Sequence, residues 1–144
     1  MAETEQPKKL EIAILTQDIK DSGLEVLVEK IKRNSHISVK ISDIKNYTEA
    51  ISAKPGIIII HQPYADPMRG KIICGYISRQ ERDVPKIIVL SCVSGEGNIR
   101  NYLSAGCSEY VSLSGTLIPY DQVVGSIEKI LQDMAVSKTT SPQQ

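Results

Sequence analysis

The chain has 144 residues, of which 41% are hydrophobic, and its 17 Lys and Arg balance 17 Asp and Glu. This balance argues against a nucleic-acid partner, because such proteins usually carry a basic excess that neutralises phosphates. No apolar stretch approaches the roughly 20 residues that span a bilayer, residues 1–9 lack the apolar segment of a signal peptide, and the three cysteines form no Cys-x-x-Cys pair. We therefore expect a cytoplasmic protein with reduced thiols, no membrane contact and no disulfide framework.

The two ends of the chain are poor in apolar residues, and the segment between them reads as one domain. Residues 1–9 and 137–144 are predicted to be disordered tails. Residues 10–136 are long enough to bury a substantial core without disulfides. Because Phe and Trp are absent, that core must be built from aliphatic side chains.

The first half of the domain alternates strand and helix patterns. Residues 10–15 form a short apolar run that predicts a strand. Ser22, with a Glu three residues later, has the form of a capping box that starts a helix. Residues 37–42 alternate apolar and polar side chains, as expected of a half-exposed edge strand. Asn46, again with a Glu three residues later, predicts a short second helix.

The second half continues the same alternation. The four isoleucines at 57–60 predict a central strand covered on both faces. Asp66, followed by Pro, is placed to start the third helix. Apolar runs at 86–93 and 107–113 predict the fourth and fifth strands, each followed by a helical pattern. The last helix starts at Pro119 and has the clearest apolar stripe in the chain.

Strictly alternating strands and helices require right-handed crossovers and a parallel sheet. The first turn lacks a glycine-rich loop, which favours a flavodoxin-like doubly wound α/β fold. Its five-stranded sheet has the order 2-1-3-4-5 and lies between two helical layers. In such sheets ligands bind at the carboxyl ends of the strands. Functional residues are therefore sought there.

Three segments carry a resemblance to a known family: KPGIIII at 54–60, VPKIIVLS at 84–91 and AGCSEYVS at 105–112. Each precedes a loop or a helix with the spacing of a response-regulator receiver domain, and the resemblance covers nearly all of residues 10–134. It implies a role in signal transduction in a two-component system.

The resemblance also implies a catalytic pocket. At the key positions of that pocket, this chain has residues of other types than the family has. The family has an acidic pair after strand one, a phosphoacceptor Asp after strand three and a Lys near the end of strand five. The matching residues here are Thr16, Gln17, His61 and Leu113. Asp18 alone offers a carboxylate, whereas Mg²⁺ prefers several oxygen ligands. We therefore predict a non-enzymatic pseudo-receiver with no metal and no cofactor.

Two further family positions are retained. Ser91 matches the hydroxyl residue of strand four, and Tyr110 matches the aromatic switch position of strand five. Their presence indicates that a protein-interaction face on helix four, strand five and helix five is still built, and we predict that it includes Ile99, Tyr102 and Tyr110. The partner is a second copy or another protein. In the simpler alternative, Ser91 satisfies a loop amide and Tyr110 only packs.

His61 is the most informative single residue, since it stands where the phosphoacceptor would be. It is a candidate proton-sensitive group, weak metal ligand or phosphorylated imidazole. We favour a neutral His bonded to a loop carbonyl, because no cluster with metal-ligand spacing accompanies it. A second hypothesis is a small-ligand sensor whose neutral cleft is lined by Thr16, Gln17, His61 and Ser91.

Overall fold

A computed structural model of the chain describes residues 10–34, 36–64, 67–80, 84–92, 96–113 and 117–139. The strands are β1 Leu10–Thr16, β2 Ile37–Asp43, β3 Ile57–Gln62, β4 Lys86–Ser91 and β5 Glu109–Ser112. The helices are α1 Ser22–Ile31, α2 Tyr47–Ser52, α3 Pro67–Ser78, α4 Glu96–Ser104 and α5 Tyr120–Thr139.

All neighbouring strands of the sheet pair in parallel, in the order β2-β1-β3-β4-β5. The predicted fold class and strand order are confirmed. The isoleucine run forms the central strand β3, whose six residues are all buried. A parallel strand covered on both faces by helices has no side that can remain polar, which accounts for the unbroken run of isoleucines.

The alternation of side chains along β3 divides the core into two layers. Ile57 and Ile59 pack with residues of α1 and α5 on one face of the sheet. Ile58 and Ile60 pack with residues of α2, α3 and α4 on the other face. Because His61 follows in the same alternation, its side chain lies on the α1 and α5 face.

The start of α1 differs from the prediction. Asp21, and not Ser22, is the N-cap residue, and its carboxylate accepts the backbone N–H of Gly23 at 2.8 Å. Asp and Ser are equally good caps, so the sequence pattern placed the helix start one residue late. Asn46 does stand at the N-cap of α2 but makes no capping bond with its side chain. Asp66 lies outside the described residues.

The end of α4 needs a glycine. Gly106 has a φ of 116°, and a Cβ there would meet the side-chain oxygen of Ser78. The Cys107 N–H then donates to the Tyr102 carbonyl at 3.1 Å. This turn reverses the chain after α4 and sets the start of β5.

The last helix continues to Thr139, past the predicted domain boundary at residue 136. The predicted tail at residues 1–9 lies outside the described residues, as do residues 140–144 of the tail predicted at 137–144. Within the described part of the chain, no helix combines the length and apolar character needed to cross a bilayer.

Candidate functional site at the carboxyl ends of the strands

The strand register brings most of the predicted site residues to one edge of the sheet. Thr16 at the end of β1 pairs with His61 of β3. One residue further along β3, Gln62 pairs with Ser91 of β4, which pairs in turn with Ser112 of β5. The resulting edge carries two separate polar clusters, one on each face of the sheet.

The first cluster is built around His61 on the α1 side. Thr16 Oγ1 lies 2.8 Å from His61 Nδ1, and neither side chain is exposed. The same Thr16 oxygen accepts the backbone N–H of Asp18 at 2.9 Å. The Thr16 hydroxyl therefore donates its proton to His61 Nδ1, and we assign the ring proton of His61 to Nε2. The expected hydrogen bond from His61 to a loop carbonyl is therefore replaced by one to a threonine hydroxyl.

The other ring nitrogen of His61 faces a carboxylate without reaching it. Nε2 lies 3.8 Å from Asp21 Oδ2, and no described residue forms a hydrogen bond with it. Burial lowers the pKa of His61, and the carboxylates of Asp21 and Asp18 oppose this shift in part. The imidazole is therefore neutral near pH 7, because a second ring proton would place a positive charge in a desolvated site.

The loop after β1 is fastened to the loop after β3. Gln17 accepts the Tyr64 backbone N–H through its side-chain oxygen at 2.9 Å, and its own N–H donates to the His61 carbonyl at 3.1 Å. The Tyr64 hydroxyl donates to Asp18 Oδ2 at 3.0 Å, and this bond raises the pKa of Tyr64. These contacts join the described parts of the two loops at this edge of the sheet.

Most of the residues predicted to line a small-ligand cleft are buried. Thr16 and His61 are 0% exposed, and Ser91 is 1% exposed. Leu113 is also buried and packs in the core on the α1 and α5 face. Of the four residues predicted to line the cleft, only Gln17 is half-exposed. Three of the four predicted lining residues are therefore inaccessible in this structure, and the sensor hypothesis stays a prediction.

The second cluster lies on the opposite face of the sheet, beside α4. Tyr102 is completely buried, and its hydroxyl donates to Gln62 Oε1 at 2.9 Å. Its ring packs against the ring of Tyr110 with centroids 5.2 Å apart. Tyr110 is half-buried and forms a side-chain hydrogen bond with Ser91.

This cluster corrects the predicted interaction face. Tyr102 does not belong to that surface, because it is 0% exposed and forms the layer beneath Tyr110. Ile99 and Tyr110 are half-buried and remain at the surface. Leu103 on the same helix is 46% exposed and was not singled out from the sequence. The Ser91 hydroxyl bonds Tyr110, whereas the simpler interpretation gave it a loop amide.

The carboxylates at this edge, which could ligate a metal ion, already accept hydrogen bonds from other groups of the protein. Asp21 caps α1, and Asp18 accepts the Tyr64 hydroxyl. Within the described residues, no group of three or more His, Cys, Asp or Glu is placed to hold a metal ion. The arrangement lacks the set of converging carboxylates that Mg²⁺ prefers.

The cysteines offer no reactive group in the core. Cys74 and Cys107 are buried free thiols, and burial raises the pKa of each to about 12. They remain protonated near neutral pH and lack the thiolate that reacts. Cys92 is a half-buried free thiol at the end of β4.

Three residues that shape this edge were missed by sequence reasoning. Asp21 was not singled out from the sequence, although an Asp just before an apolar helix stripe is a capping signal. Gln62 lies two residues after the isoleucine run and ends β3, and a buried strand that ends on an amide predicts a buried partner. Tyr64 carries no local signal, because its partners lie 46 and 47 residues away.

The Thr16–His61 bond makes a testable contribution to stability. Replacing Thr16 by Val keeps the shape but removes both bonds of the hydroxyl and leaves a buried ring nitrogen without a partner. We expect the free energy of unfolding to fall by about 1–3 kcal/mol, as measured by denaturant titration. Thr16→Ser keeps the hydroxyl and is the matched control. Equal stability of wild type and Thr16→Val would show that the bond contributes nothing.

Comparison with solved structures identifies the fold. The response-regulator domain of CheB from Thermotoga maritima matches with a TM-score of 0.66 and 17% identity, covering 89% of this chain and 98% of that one. An orphan response regulator of H. pylori matches with a TM-score of 0.65 and 11% identity, covering 85% and 98%. The BeF3-activated N-terminal receiver domain of RstA from Klebsiella pneumoniae matches with a TM-score of 0.63 and 18% identity, covering 82% and 95%.

The sequence itself matches no protein-family model and no curated protein. At these low identities, the structural similarity establishes a shared fold. The chain therefore has the receiver fold over most of its length, and the chemistry at the strand ends must be argued from its own residues.

Proposed function

We propose that this chain is a phosphorylation-independent pseudo-receiver that acts as a protein-interaction module in bacterial signalling. The observation that carries the proposal is the state of His61. Where the receiver resemblance puts a phosphoacceptor carboxylate, this chain has a fully buried imidazole bonded to Thr16.

Phosphoryl transfer depends on stabilising developing negative charge, and the described residues at this edge do not supply groups for that task. Leu113, at the position matching the family's Lys, is an apolar side chain packed in the core, so it offers no charge to a phosphoryl group. The carboxylates of Asp18 and Asp21 are engaged as a hydroxyl acceptor and a helix cap. A magnesium ion would have to break both contacts and would gain few ligands in return.

The proposed interaction face is the exposed side of α4 and β5. It consists of Ile99, Leu103 and Tyr110, which are half-buried or exposed although they are large and mostly apolar. Tyr110 is supported from below by the buried Tyr102 ring. A large aromatic held rigid by the core loses little side-chain freedom on binding, which favours it as an interface residue.

The proposal predicts that phosphodonors leave the protein unchanged. The chain is incubated with acetyl phosphate and Mg²⁺, and separately with beryllofluoride and Mg²⁺, with a phosphorylatable receiver domain as positive control. Intact mass spectrometry should show no added phosphoryl group. Amide NMR spectra should show no magnesium-dependent shifts at β1, β3 and β4.

Two results would contradict the proposed function. A stoichiometric phosphoryl adduct would overturn the proposal. So would widespread magnesium-dependent shifts centred on Asp18 and Asp21. Mass spectrometry should include neutral-pH conditions, because a phosphoimidazole at His61 would be lost in acid.

A further inference from the structure

A groove between α1 and α5 lies away from both polar clusters. It has a volume of about 550 Å³. Its floor is apolar and includes the buried side chains of Ile31, Ile37 and Ile127 together with the half-buried Val124 and Leu131. The core alone does not require this opening, because the same side chains already pack against the sheet.

The two walls of the groove carry opposite charge. Lys30 and Arg33 at the end of α1 form a basic wall, and Asp121 and Glu128 on α5 form an acidic wall. Within the described part of the chain, none of these four takes part in an ion pair. Lys30 instead lies 5.7 Å from the centroid of the Tyr120 ring. Among the described residues, Arg33, Asp121 and Glu128 have no oppositely charged partner within the chain and can meet one on another chain.

Gly125 stands on the α5 wall between the two acidic residues. It is exposed, and a Cβ added there would meet nothing within 4 Å. Glycine inside an exposed helix destabilises it relative to alanine, and no contact within the chain explains its presence. A backbone without a side chain does allow another helix to approach closely at this point.

We propose that the α1–α5 groove is a homodimer interface and that its occupant is a second copy of this chain. A two-fold axis running along the helices places α1 of one copy opposite α5 of the other. The basic wall of each copy then faces the acidic wall of its partner, so one contact satisfies both sets of charges. A partner of a single charge sign would satisfy only one wall.

The available area fits a weak dimer. The 20 residues of α5 make a helix about 30 Å long and the 10 residues of α1 one of about 15 Å, each roughly 10 Å wide. The resulting face of roughly 450 Å² lies below the ~800 Å² per partner of standard interfaces. We therefore expect reversible association in the micromolar range. This surface is separate from the α4 and β5 face, so the proposal does not depend on the proposed function.

Sedimentation equilibrium of the full chain over a wide concentration range tests the proposal. The wild type should show a monomer–dimer equilibrium. Gly125→Gln should be monomeric throughout, because its side chain would occupy the space of the partner helix. Gly97→Gln is the matched control, since Gly97 is an exposed helical glycine of α4 with equally open surroundings. It should dimerise like the wild type.

A charge exchange tests the orientation. Arg33→Glu alone and Glu128→Arg alone should each weaken the dimer at low salt by placing like charges opposite each other. The double variant should restore association toward the wild-type level. Thermal melts of dilute samples should show Gly125→Gln folded and at least as stable as the wild type, because glutamine is a better helix former.

Three results would overturn the proposal. The first is a wild type that stays monomeric at every concentration. The second is a dimer that survives Gly125→Gln, and the third is a dimer that is lost with Gly97→Gln. The last result would move the contact to the α4 and β5 face. None of these outcomes bears on phosphorylation, which is measured separately.

Discussion

Replacing Gly70 by Ala is expected to lower the free energy of unfolding by about 1–3 kcal/mol, which is the usual cost of overpacking a core. A Cβ at this position would meet Gln62 Oε1 and would lie 2.6 Å from the Tyr102 hydroxyl oxygen. Neither side chain can swing away, since Tyr102 is 0% and Gln62 is 1% exposed. The single methyl group therefore breaks the hydrogen bond between them or displaces α3.

Gly125→Ala is the matched control for this prediction. It also replaces a helical glycine, but in open space, and should raise the free energy of unfolding by about 0.5–1 kcal/mol. Denaturant titrations at low protein concentration measure both changes without a contribution from association. If Gly70→Ala raised the free energy of unfolding as Gly125→Ala does, the close packing of α3 over the Gln62–Tyr102 bond would be refuted.

Acid is expected to destabilise the protein through His61. Burial holds the folded-state pKa of His61 below its usual value, whereas the unfolded chain takes up the proton at about pH 6.5. His61 therefore has no effect on the pH dependence of stability above that point. As the pH falls below it, stability is lost by up to about 1.4 kcal/mol per pH unit, until the folded-state pKa is reached.

The pH dependence can be assigned by difference. His61→Gln cannot take up the proton, so the acid-induced loss of stability between about pH 6.5 and pH 5 should be smaller than in the wild type. His36→Gln changes an exposed histidine before β2 and should leave the wild-type profile intact. The assignment to His61 fails if the His61→Gln profile runs parallel to that of the wild type.

The two polar clusters have a shared consequence. On one face His61 is bound by Thr16, and on the other Tyr102 is bound by Gln62. Both bonds join groups that are buried at the sheet edge. Since an unsatisfied buried polar group is costly, each bond favours a single closed arrangement of this edge.

The sequence by itself determined the fold class and the strand order. Isoleucines 57–60 specify a central strand because a run of β-branched residues suits a position covered on both faces. The apolar stripe of α5 specifies a helix because side chains recur every 3.6 residues. These signals are local, and the alternation of strand and helix then restricts the topology through the handedness of crossovers.

The tertiary structure decided which side chains meet and which are buried. The partner of His61 is Thr16, 45 residues away, and strand register rather than spacing sets that contact. Tyr102 was predicted from the sequence to lie on the surface but is buried. A tyrosine has an apolar ring and a polar hydroxyl and suits either face of an amphipathic helix, so only its neighbours in the fold decide its position. The charged walls of the α1–α5 groove likewise come from segments about 90 residues apart, and only the fold makes them adjacent.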